Sequence, residues 1–179
     1  MGIVAALVTA MGAIGILLWR LNQASDAAKG LLQTAEDTRG FFRRMAWRKK
    51  SGRNPLDMLT DPREAAVAMM AAVAQWDAAI SDREMAEIKA QTIRHFQASD
   101  ALASELLATG RWLARDVTDL GAFLWRASPS ILAKCTPKER QDMLDMLGAI
   151  AHVEGPPNAL IAQELDRLAD HYKRAAIPR

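Results

Sequence analysis

Cysteine occurs once in the 179 residues, as Cys135, so neither an intrachain disulfide nor a multi-thiolate zinc site can form. Nothing therefore demands an oxidising compartment. Aromatic residues make up only 6% of the chain, and no segment shows the strict apolar–polar alternation of a half-buried strand. No glycine-rich phosphate loop and no Gly-x-Ser-x-Gly elbow is present, which removes the two commonest local signatures of nucleotide binding and serine hydrolysis. The three histidines, His95, His152 and His171, are far apart in sequence, without the short spacing of a zinc motif. Cys135 has only Lys134 beside it and reads as an ordinary thiol.

What is present is a helix-forming vocabulary. Half the chain is apolar, and Ala, Leu, Met, Arg, Asp and Glu dominate, while seven prolines and ten glycines are scattered. The length suits one ordinary core plus a modest appendage. An all-α fold is expected, with the nine methionines mostly filling apolar helical positions.

Charge divides the chain into three zones. No charged residue occurs from Ile3 to Trp19; Arg20 to Arg53 carries nine Lys/Arg against three Asp/Glu; the remainder carries fourteen against eighteen. As a helix, those first 17 residues would span about 25 Å at roughly 1.5 Å per residue, enough for a bilayer core. Trp19 and Arg20 fit an interfacial aromatic and a snorkelling cation. A cleavable signal peptide would carry a basic residue before the run and a small-residue cleavage site after it, and neither is found. Residues 1–22 are thus expected to form a transmembrane anchor. Arg43, Arg44, Arg48, Lys49, Lys50 and Arg53 lie downstream, so the positive-inside rule puts the N-terminus outside and the C-terminal bulk in the cytoplasm, as a single-pass inner-membrane protein. Ala5, Thr9 and Ala13 make a small-residue stripe that would favour a homodimer weakly.

Residues 23–56 read as a basic juxtamembrane connector. Phe41, Phe42, Met45 and Trp47 alternate with Arg43, Arg44, Arg48, Lys49 and Lys50, a mixture suited to contact with an anionic membrane surface. A solvated charge run that only fixes topology explains the same residues equally well. No recognition helix accompanies them, so nucleic acid is not expected as a partner. Ser51-Gly52-Arg53-Asn54-Pro55 punctuates the connector before a helical domain at 57–176.

That domain is expected to hold six helices. Asp61-Pro62-Arg63-Glu64 opens the first, whose apolar residues fall on most faces and mark it as central. Ser81-Asp82-Arg83-Glu84 is a capping box for the second, and Ser99 or Asp100 starts a third that runs toward Gly110. A fourth is read from Arg111 to Ala127, ending before Ser128-Pro129-Ser130. Thr136-Pro137-Lys138-Glu139 opens the fifth, and the last begins near Asn158.

Two stretches carry a family resemblance. Ala72-Val73-Ala74-Gln75-Trp76-Asp77-Ala78-Ala79-Ile80-Ser81-Asp82-Arg83-Glu84 and Ala149-Ile150-Ala151-His152-Val153-Glu154-Gly155 resemble the two halves of a tellurite-resistance TerB-like domain, in which a helix ends at an acidic residue and glycine and an acidic residue opens the next. Such domains also occur behind a membrane helix in DnaJ-like co-chaperones. This chain lacks the His-Pro-Asp tripeptide of their J domain, and Ala78 stands where the family has glycine. The resemblance implies a compact bundle and a divalent cation, calcium or magnesium, held by Asp77, Asp82, Glu84 and Glu154. Capping by Asp82 and Glu84, with Asp77 and Glu154 solvated, explains the same acids more economically. The functional expectation is a membrane-anchored cytoplasmic interaction or scaffold module with an unidentified protein partner, in an envelope or metal stress response. A metal-dependent hydrolase built on the acidic turns is the alternative.

Overall fold

The computed structural model describes residues 54–175; the anchor at 1–22 and almost all of the connector, with its five membrane-contact residues, lie outside them. Within that span there are six α-helices and no strand. They are α1 (Pro62–Ala74), α2 (Asp82–Phe96), α3 (Asp100–Ala114), α4 (Leu120–Lys134), α5 (Pro137–Ala151) and α6 (Ala159–Ala175), preceded by a 3₁₀ turn at Pro55–Met58. None of the described helices is long and apolar enough to cross a membrane.

The first helix is buried on every face. Each residue from Ala65 to Ala74 is inaccessible, including Met69 and Met70, so α1 forms the axis around which α2, α3, α4 and α5 pack. Its six alanines keep the axis thin and let neighbouring backbones come close. The closest approach is at Gly110 of α3, where a β-carbon would lie 2.8 Å from the carbonyl oxygen of Val67. Gly110 is therefore not the helix end that its residue type suggests; α3 runs through it to Ala114, and glycine is there because the crossing leaves no room for a side chain.

The next boundary also differs from expectation, for a different reason. The chain breaks at Arg115–Asp119, where the Asp119 carboxylate accepts the backbone N–H of Ala122, and α4 then continues through Pro129 to Lys134. Pro129 is exposed, so the carbonyl it leaves without an intrahelical donor is on the solvent side. Ser128 and Ser130 turn inward instead, and the Ser128 hydroxyl donates to the carbonyl of Leu124 at 2.7 Å.

Local signals set the remaining ends as expected. Ser81 and Glu84 form a reciprocal capping box, as do Thr136 and Glu139, and Asp61 accepts the N–H of Arg63. Asn158 caps the start of α6 by accepting the N–H of Leu160. At the N-terminal side the packed unit reaches back past residue 57: Leu56 and Leu59 are buried in the core, and Asp57 forms a forked ion pair with Arg126 at 2.6 and 2.9 Å. The 3₁₀ turn and the residues after it thus run along α4, with Lys134 donating to the carbonyl of Thr60.

Candidate functional site

The two turns singled out in the sequence meet. Ser81 begins α2, and its hydroxyl accepts the N–H of Glu84 at 3.1 Å while the Glu84 carboxylate accepts the N–H of Ser81 at 2.8 Å. The same hydroxyl donates to Glu154 at 2.8 Å, and the Arg83 guanidinium reaches the other Glu154 oxygen at 3.3 Å. Glu154 lies in the turn between α5 and α6, 73 residues downstream, where Gly155 takes a φ of +130° that favours glycine. The cap of one helix is thereby tied to the turn after another. The tie is solvent-exposed, Arg83 at 73% and Glu154 at 49%, so the ion pair itself contributes little, about 0–1 kcal/mol.

The four acids do not form one ligand set in this geometry. Glu84 and Glu154 converge on Ser81, whereas Asp77 and Asp82 are exposed and make no hydrogen bond to that hydroxyl. Among the described residues no group of three or more His, Cys, Asp and Glu side chains stands close enough to hold a metal ion. Glu154 is bonded where sequence reasoning expected a solvated carboxylate. The histidines also separate. His95 closes α2 at the end of the bundle opposite the paired turns, His152 follows α5 beside them, and His171 on α6 stacks against Trp125 with ring centroids 4.0 Å apart.

At the far end of α1, α2 and α5 lies a groove of about 250 Å³. Phe96, Ile131, Met143 and Met146 form its apolar floor, and Arg63, His95, Glu139 and Asp142 contribute polar groups. Cys135 lines the same groove, half-buried, and burial followed by the nearby Glu139 pushes its thiol above the ordinary value, which keeps it protonated. Glu139 itself is held low by the Thr136 backbone and hydroxyl. Sequence reasoning missed the groove, because its residues come from four helices and share no spacing.

A second missed residue is Glu164. Its side chain is 9% exposed, bonded to Arg167 at 2.6 Å, and its carboxylate lies directly against Gly121 in the first turn of α4, where a β-carbon would collide with it. Glycine there admits a negative charge to the positive end of the helix. Residues 63–171 match the family described as tellurite resistance protein TerB. The chain belongs to the TerB family. The match runs from the first turn of α1 to His171 of α6, so it takes in both joined turns, the far groove and Glu164. No curated protein and no solved structure matches the chain. The TerB domain is thus recognised through its family and seen as a six-helix bundle whose two acidic turns are bonded to each other.

Proposed function

We propose that this chain is a membrane-tethered TerB-like module that presents its helical domain in the cytoplasm as an interaction or scaffold surface within an envelope or metal stress response. The observation that carries the reading is the TerB match over 63–171, standing behind an uncharged 17-residue run and a strongly basic connector. The anchor restricts the domain to the membrane surface, and the connector's cations hold it on the anionic cytoplasmic side. Arg43, Arg44, Arg48, Lys49 and Lys50 supply that attraction, at about 1 kcal/mol each.

The joined turns give the module a rigid end. Ser81, Arg83, Glu84 and Glu154 hold α2 and the α5–α6 turn in one arrangement, so a partner meets a preformed surface there. A divalent cation at Asp77, Asp82, Glu84 and Glu154 would have to take Glu154 away from Ser81 and Arg83, and binding would then rearrange the turns. Affinity capture of the full-length protein from detergent-solubilised membranes tests the scaffold role. A partner retained by the wild type and lost with Ser81→Ala plus Glu154→Ala supports it; a partner set that is indifferent to the helical domain contradicts it.

A further inference from the structure

Residues 54–60 form a strap that runs along the outside of α4 before the chain enters α1. Its backbone is bonded to itself: Asp57 donates its N–H to the carbonyl of Asn54 at 3.0 Å, Leu59 to that of Leu56 at 3.2 Å, and Leu56 to the Asn54 side chain at 3.0 Å. The strap keeps these bonds whether or not it touches α4. It is fastened there by the Asp57–Arg126 fork at 2.6 and 2.9 Å, whose side chains are 43% and 50% exposed, and by the burial of Leu56 and Leu59. Downstream, Lys134 holds the carbonyl of Thr60 and Asp61 caps α1, so that end is fixed.

The fit beneath the strap is loose. A cavity of about 210 Å³ lies between Leu56, Asp57 and Leu59 on one side and Ala127 and Ser130 of α4 on the other. A second, of about 220 Å³, separates Asn54, Pro55 and Leu56 from Trp112, Val117 and Phe123 around the α3–α4 turn. Leu56 lines both, so it has open space on two sides and lacks part of the contact that a leucine in a close-packed interior makes. Little cohesion therefore opposes separation of the strap from α4. An exposed ion pair adds a weak hold, and one that salt screens. The bond from Arg126 keeps the Asp57 carboxyl below its ordinary value of 3.8, so it is charged at neutral pH and ionic strength, rather than mild acid, loosens the fork.

We infer that residues 54–59 are a latch: the strap lifts from α4 as a unit, pivoting at Thr60, while the six helices stay folded, and it uncovers the groove that holds Leu56 and Leu59. Local opening of this kind follows from a segment whose backbone bonds are internal and whose packing is incomplete. Asn54 is where the basic connector enters the bundle, so a load on the connector acts on the strap before it reaches α1. The latch turns such a load into exposure of Phe123, Ala127 and Ser130, all buried when the strap is down. This holds whether or not the connector lies on lipid, so it stands or falls apart from the membrane reading.

The test places a thiol under the strap. Ser130→Cys, nearly isosteric, is made in the full-length protein with Cys135→Ser, and its reaction with a bulky maleimide is timed in detergent. Labelling is expected at a rate that low urea leaves unchanged, the mark of local rather than global opening. Raising sodium chloride from about 0.05 M to about 1 M should speed it several-fold by screening the fork. Arg126→Glu, which sets a like charge against Asp57, should speed it by roughly fivefold or more, and adding Asp57→Lys should restore the slow rate by rebuilding the pair with its signs exchanged. Should Arg126→Glu fail to fold, the urea and salt series on Ser130→Cys still decide. Labelling that follows the urea dependence of whole-domain unfolding, or a rate indifferent to salt and to both charge changes, would overturn the latch and make the strap a fixed part of the bundle.

Discussion

Gly110 shows how much a single residue can decide here. Glycine inside a helix ordinarily weakens it, yet at this position the Val67 carbonyl occupies the space any side chain would need. Gly110→Ala is therefore expected to destabilise the domain by about 1–3 kcal/mol despite alanine's better helix propensity. Urea unfolding checks this as a lower midpoint at unchanged m-value. Ser81 and Glu154 divide differently. Ser81→Ala removes a helix cap as well as the inter-turn bond and should cost about 1–2 kcal/mol, whereas Glu154→Gln, on an exposed pair, should cost under about 1 kcal/mol. Equal losses in the same unfolding measurement would contradict the assignment of the cap as the stronger element. His171 supplies a pH dependence. Burial, then Arg174, holds its imidazole below the ordinary value of 6.5. On acidification the unfolded chain takes up the proton first, so this contribution to stability is complete above that value and declines as pH falls through it. Replacing His171 by Gln should flatten the stability profile between about pH 7.5 and about pH 5.5, as read from urea midpoints across that window.

At the scale of elements, the starts of helices were legible and some of their ends were not. Asp61, Ser81, Ser99 and Thr136 are local chemical signals whose caps form within a few residues, so the sequence contains all the information needed. The all-apolar run from Ala65 to Ala74 likewise identified α1 as the central helix. Gly110 and Pro129 misled because both are usual breakers, and what permits helix around them is tertiary: a close crossing in one case, a solvent-facing carbonyl in the other. The acidic turns were found as separate motifs, but their bond through Ser81 joins residues 73 apart and has no sequence periodicity to reveal it. The groove beside Cys135 was hidden for the same reason. Pro129→Ala follows from this reading. With the proline's cost inside a helix removed and part of its unfolded-state benefit lost, the variant should be more stable by about 1–2 kcal/mol, seen as a higher thermal midpoint. A lower midpoint would mean that the α4 backbone depends on the ring.

At the scale of the whole molecule, a TerB-family bundle matched over residues 63–171 follows a first fifty residues whose pattern is that expected of a membrane tether. In the proposed arrangement a tether would confine the bundle beside a membrane and so raise its effective concentration for any partner in the same plane. The proposed orientation rests on the nine cations between Arg20 and Arg53, which would resist translocation. Sodium carbonate extraction of cell membranes combined with protease treatment of intact spheroplasts tests this most directly. The full-length protein is predicted to stay in the membrane pellet, with the helical domain shielded from added protease until the cells are lysed. Release of the protein into the soluble fraction, or digestion of the domain in intact spheroplasts, would contradict the account.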